Sequence, residues 1–186
     1  MTLQKLTAQI ADALIKIDSS RIPFRGFKPG VGPYGEPQLV KAIAEYLEPI
    51  YPGRVATKRV PDLLILGLWS VEFKIVRPFG DNGKEAENWS VNLLHPYRGN
   101  ASALGDCIKL ASLGSPEKKA VIAICYEHNP TIIPVEPLLK SFELLAREIM
   151  HIKLGTRVIE GRAGLVHPVH QQLQVAAWEV VGIGAL

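Results

Sequence analysis

Asp62, Glu72 and Lys74 are the residues whose types and spacing point to chemistry, because they interrupt the otherwise apolar stretch from Pro61 to Ile75. Gly67 lies midway between Asp62 and Glu72. A hairpin turning there sets the two carboxylates opposite each other on neighbouring strands, within reach of one ion. Strand alternation then carries Asp62, Glu72 and Lys74 to one face. Leu63, Ile65, Val71, Phe73 and Ile75 go to the other and enter a core. Paired carboxylates repel, which raises one pKa unless a divalent cation neutralises them, and oxygen donors favour magnesium, with manganese as a substitute. Lys74 adds a point charge beside them. Without an ion, the same three residues would form a surface ion-pair cluster on an exposed sheet face.

The elements that must position these residues can be read from periodicity. Leu3, Leu6, Ile10, Leu14 and Ile17 line one face of an N-terminal helix, and the Pro- and Gly-rich residues 19–35 form a long loop. Glu36 and Pro37 open a second helix with an apolar stripe of Leu39, Ile43, Tyr46 and Leu47, ending by Pro49 or Pro52. Residues 54–76 read as three consecutive strands and 78–99 as a long polar loop. A helix is expected over 101–113, then a strand over 120–126 whose unbroken apolar run implies cover on both faces. Residues 137–152 read as a helix with Leu138, Phe142, Leu145 and Ile149 on one side, and short strands are expected at 156–160 and 174–181. The fold class is α/β, a mixed central sheet flanked by helices, in one domain without repeats or a linker.

Pro61-Asp62, nine intervening residues and Glu72-Phe73-Lys74 resemble the signature of the PD-(D/E)xK nuclease superfamily, the restriction-endonuclease-like fold. The order helix, three-strand meander, helix, strand also resembles that family's core, with the acidic residue opening the second strand. The resemblance covers about residues 36–126, in the order αβββαβ, and leaves an N-terminal helix and a C-terminal helix/strand extension, 127–186, outside it. It implies that Asp62 and Glu72 bind a catalytic Mg2+ or Mn2+ with the backbone carbonyl of Phe73, and that Lys74 orients or activates the attacking water. It also implies an accessory acid on the preceding helix. Glu36 fits better than Glu45 or Glu48, because Val40 and Ile43 follow it on the inward face; alternatively, Glu36 complements the helix dipole. The exonuclease branch of the family carries a Gln followed four residues later by Tyr, which is missing after Lys74. The expectation is therefore a magnesium-dependent endonuclease acting on DNA, with a homodimer as the form that would cut both strands. The alternative is an inactive nucleic-acid-binding module of the same fold.

The remaining signals are weaker. Lys58, Arg59, Arg77, Lys84 and Lys109 are candidates for a phosphate-facing rim, and His95, Tyr97 and Arg98 for contacts to a phosphate or a stacked base. Gly30-Val31-Gly32-Pro33-Tyr34-Gly35 has the form GxGxxG, yet no strand leads into it and Pro33 removes an amide donor, so nucleotide binding ranks last. The loop is expected to be a flap or a rigid turn beside Glu36. His167 and His170 lack a third ligand or a cysteine nearby and read as structural. The 186 residues, 47% hydrophobic and 21% charged, exclude general disorder; a chain of this length buries roughly 70% of its unfolded surface without staples. Two cysteines, Cys107 and Cys125, do not make a secreted framework, and a cytoplasmic setting is the expectation. No run approaches the ~18 apolar residues of a membrane span. A net charge of +3 is compatible with a polyanionic partner without requiring one.

Overall fold

The structure, a computed structural model, describes residues 1–97 and 102–184. The first helix, α1 (Leu3–Ser19), starts where the Thr2 hydroxyl accepts the Lys5 amide, and it buries the Leu3, Leu6, Ile10 and Leu14 stripe. In α2 (Glu36–Leu47), Pro37 occupies the first turn, where its missing N–H costs nothing, and Leu39, Val40, Ile43 and Leu47 face inward. The meander follows as β1 (Val55–Thr57), β2 (Leu63–Ile65) and β3 (Trp69–Val76). A short turn of helix, α3 (Val91–Leu94), and a small bridge between Phe79 and Glu85 give order to the long polar segment. The fourth helix, α4 (Ala103–Ser112), is capped by the Ser102 hydroxyl, which accepts the Gly105 amide, and leads into β4 (Lys118–Glu127).

The C-terminal third consists of α5 (Glu136–Leu144), a π-type turn over Leu145–Ile149, β5 (Ile152–Leu154), β6 (Val158–Ala163) and β7 (Gln172–Ile183). The sheet has seven strands in the order β1-β2-β3-β4-β7-β5, with β6 also paired to β7. It is mixed: β3 and β4 run parallel and the other pairs are antiparallel. One face carries Leu63, Val71, Phe73, Ile122 and Val175 against α1 and α2. The other carries Val76, Val121, Ala123 and Trp178 against α4 and α5. Central β4 is buried on both faces, as its unbroken apolar run predicts.

Two expectations need correction. Residues 127–186 are not an extension beside the core, since β7 pairs with β4 from Ala120↔Glu179 to Glu127↔Gln172 and lies inside the sheet. The fifth helix also stops early. Its π-type turn takes one more residue per turn than an α-helix, so the stripe shifts: Ala146 is buried and Ile149 is left exposed. The three-residue β5, with a register shift between Lys153 and Leu154, is too short to show a period of two in sequence. Cys107 and Cys125 are buried free thiols, raised well above the ordinary thiol range by burial. Among the described residues, no helix is long and apolar enough to cross a membrane.

Candidate functional site

The β2–β3 hairpin sets the first contacts. Its pairs Leu63↔Val71, Leu64↔Ser70 and Ile65↔Trp69 center on Gly67, which takes the positive φ of +69° that the turn requires. Carried back one residue, the same register brings Asp62 level with Glu72. Asp62 Oδ2 accepts the Phe73 amide at 2.9 Å, fixing the carboxylate where β2 begins. Alternation sends Val71, Phe73 and Ile75 into the core beside α1 and α2, and turns Glu72 and Lys74 toward α4.

That second face is not open to solvent. Glu72 is 3% exposed and Lys74 5%. Glu72 Oε1 has no hydrogen-bond partner among the described residues. Burial, and then the negative charge of Asp62, push the Glu72 carboxyl up to about 9, with Asp106 adding to the same effect. The Lys74 ammonium meets Asp106 Oδ2 at 2.8 Å and Glu36 Oε1 at 3.3 Å, and donates to the Phe73 carbonyl at 2.7 Å. Burial alone would lower its pKa; the Asp106 and Glu36 carboxylates outweigh that and hold it above the ordinary lysine value. The Glu36 carboxyl is raised, chiefly by burial and against the pull of Lys74. Lys109 closes the set, 2.7 Å from Asp106 Oδ1.

Asp62, Glu72, Lys74, Glu36 and the Phe73 backbone, expected together, are thus brought together. Glu45 and Glu48 lie elsewhere, paired with Lys41 and with the Gly53 amide. Asp106 and Lys109 complete the cluster as a pair, and Asp106 was not anticipated from sequence as part of it. One sign of it was present: a carboxylate between Ala103, Leu104, Cys107 and Leu110, on the apolar stripe of α4 where a solvated charge has no place. With all groups ionised, the four carboxylates and two ammoniums leave a formal excess of two negative charges. Oxygen donors with a twofold negative excess and an unpartnered buried carboxylate atom match the needs of a hard dication. Two carboxylates and one carbonyl suit magnesium, which keeps several of its waters.

The expected rim divides. Lys58 and Arg59 line a groove with Glu36, Val40, Thr57 and Asp62, at the mouth of the cluster. Arg77 is not a free rim cation: its guanidinium donates to the Tyr34 carbonyl and lies over the Tyr126 ring at 5.6 Å, because the neighbouring loop closes over it. It also borders a second cleft, with Glu36, Asp81, Trp89 and Asn92, so Glu36 stands between the two openings. Lys109 is committed to Asp106. His95 and Tyr97 stack edge to face at 5.5 Å on the segment between α3 and α4, with Tyr97 exposed; Arg98 lies outside the described residues.

The glycine loop is a packed turn. Asp18, buried at the end of α1, accepts the Val31 and Val166 amides at 2.9 Å each, so these donors are already used. A side chain at Gly32 would collide with the His170 ring, the nearest approach being 2.3 Å. Against the expectation of no third ligand, Asp81 joins His167 and His170. Among the described residues, these three form the one set of three ligating side chains whose donor atoms all lie within 4.8 Å of one another. Burial lowers both imidazoles, His170 to about 4. No family model, no curated protein and no solved structure matches the chain.

Proposed function

We propose that this protein is a metal-dependent nuclease that hydrolyses DNA phosphodiester bonds, an endonuclease with a restriction-endonuclease-like core of the PD-(D/E)xK type. The observation that carries this reading is the buried Glu72 carboxyl, level with Asp62 across the hairpin, with one oxygen unpartnered and Lys74 two residues along the same strand. A solvated ion-pair cluster has no reason to be buried. Leaving ionised groups uncompensated in the interior costs several kcal/mol each, on the order of the whole stability of a domain.

Asp62 and Glu72 would hold the Mg2+, with the Phe73 carbonyl as a further donor; a carbonyl has two lone pairs and can also keep its bond from Lys74. When bound, such an ion makes water more acidic and neutralises charge building on the phosphate. The Phe73 amide keeps Asp62 in place and so fixes one side of the site. Lys74 stays an ammonium at neutral pH, since its carboxylate neighbours raise its pKa. Its role is therefore to donate to a phosphate oxygen or to the attacking water, rather than to accept a proton. Glu36 aims Lys74 and borders both clefts, where a nucleic-acid strand would pass. Lys58 and Arg59 offer charge to the phosphates on the groove side. Cutting both strands of a duplex calls for two such sites, which is the reason to propose a homodimer.

One observation favours a second reading, a binding module of the same fold without activity. The Lys74 ammonium donates to Glu36 and Phe73 and is ion-paired with Asp106, so it is already engaged on the protein side, and the Glu36 contact, the longest, is the one that substrate would displace. The test is cleavage of supercoiled, linear, branched and single-stranded DNA, and of RNA, with magnesium, manganese or EDTA. Asp62→Asn and Lys74→Arg serve as controls, with circular dichroism to verify folding. Metal-dependent cleavage lost in both folded variants supports the nuclease. Metal-independent binding without cleavage supports the module.

A further inference from the structure

Asp81, His167 and His170 come from two loops about ninety positions apart in sequence, and their ligating atoms lie within 4.8 Å of one another. Asp81 sits in the small loop closed by the Phe79–Glu85 bridge, while the histidines sit in the connection between β6 and β7. Both histidines are fully buried, at 0% and 1% exposure. The atoms His167 Nε2, His170 Nδ1 and Asp81 Oδ1 are all buried and all without a hydrogen-bond partner among the described residues. Three buried polar atoms left unsatisfied at one point are rare, because each loses its water without compensation.

The hydrogen bonding of His170 sharpens the point. Its Nε2 lies 2.9 Å from the Phe79 carbonyl, which can only accept, so the ring proton is on Nε2 and the Nδ1 lone pair is free. That lone pair faces Asp81 Oδ1 at 3.7 Å, two acceptors with no proton between them. A ligating imidazole whose other nitrogen donates to a backbone carbonyl is the usual arrangement around a protein metal ion. His167 opposes ligation in part, since its Nδ1 accepts the Val169 and His170 amides, both at 3.3 Å. Ligation through Nε2 moves its proton to Nδ1 and gives up these two long contacts for one metal bond.

We propose that Asp81, His167 and His170 form a binding site for a borderline transition dication of the zinc class, distinct from the carboxylate cluster around Glu72. Two imidazole nitrogens and one carboxylate oxygen are a zinc donor set with one position left for water; magnesium and calcium require oxygen. Asp81 also lines the cleft shared by Glu36 and Arg77, so this ligand joins the buried histidines to an open surface. The ion clamps the loop after β3 to the loop before β7. Gly30 and Gly32 make the clamp close-fitting, since a side chain at either would strike His167 or His170.

The experiment loads the full-length protein, stripped with a chelator, with Zn2+ and separately with Co2+. Calorimetry, elemental analysis and the cobalt visible spectrum are read, beside thermal unfolding. One equivalent of zinc, a four-coordinate cobalt spectrum and a rise in melting temperature are expected, undiminished by excess magnesium. Asp81→Asn, a partly exposed isosteric change, should weaken zinc by at least about tenfold. His167→Gln with His170→Gln should abolish binding, while Glu72→Gln should leave it intact. Zinc binding that is unaltered in folded Asp81→Asn, or lost in Glu72→Gln, would overturn the proposal. So would a wild-type protein that takes up no zinc or cobalt.

Discussion

The Asp62–Glu72–Lys74 cluster and the Asp81–His167–His170 cluster bury ionisable groups in opposite ways. The first is built on regular structure: one hairpin register supplies Asp62 and Glu72, strand alternation adds Lys74, and two helices bring Glu36 and Asp106. It holds an excess of acid. The second is built from loops whose backbone is fixed by Asp18, by a bridge and by glycines, and it presents lone pairs from imidazoles that burial keeps neutral. A register fixes chemistry in the sequence itself, whereas converging loops fix it only in space.

The largest effect should come from breaking the buried ion pair. Asp106→Ala leaves Lys74 without its nearest carboxylate and should destabilise the fold by about 3–5 kcal/mol in chemical denaturation. Adding Lys74→Met should recover most of that loss, because the uncompensated charge goes too. Next comes activity. Asp62→Asn and Glu72→Gln should each lower the DNA cleavage rate by about 10²–10³-fold. Yet Glu72→Gln should raise the melting temperature of metal-free protein at pH 8, since the fold must keep protonated there a carboxyl that ionises freely when unfolded. Variants that lose activity and stability together would erase the contrast between chemistry and packing at this position.

The two clusters also tilt stability in opposite directions with pH. In the folded chain, Glu72 keeps up to about 9 a proton that it releases near 4.5 when unfolded. Its contribution is therefore full below 4.5 and lost as pH rises toward 9, at up to about 1.4 kcal/mol per pH unit. Glu36, also raised, acts in the same sense. His170, lowered from 6.5 to about 4, contributes fully above 6.5 and loses its contribution as pH falls toward 4. Unfolding in EDTA across pH 4 to 9 should show the two slopes offsetting each other between 4.5 and 6.5 and a decline above 6.5, and Glu72→Gln should reduce that decline and uncover the His170 rise below it. The smallest effect is at the rim: Lys58→Ala should weaken DNA binding modestly and reduce the slope of log affinity against log salt by about 1.

Where the chemistry follows a period, it was legible. Gly67 as hairpin midpoint, the sorting of Phe73 from Glu72 and Lys74, and the position of Glu36 at the head of α2 all follow from spacing. Asp106 escaped because a lone aspartate near a helix N-terminus reads as a dipole partner until its neighbours are known to be buried. Asp81 escaped for a different reason: no local pattern ties it to histidines that follow some ninety residues later. Arg77 misled, since a basic residue at the end of a strand resembles a phosphate contact, and only the course of the loop shows that Tyr34 and Tyr126 hold it.

The central place of β7 has a consequence for how the molecule comes into being. Residues 172–183 are synthesised after every other strand, yet they fill the gap between β4 and the β5–β6 edge. Until they emerge, β4 is an apolar strand with one open edge, the kind of surface on which nascent chains pair with one another. The sheet closes last at its middle. A growing chain thus carries Asp62, Glu72, Lys74 and Asp106 well before it has the finished platform that holds them.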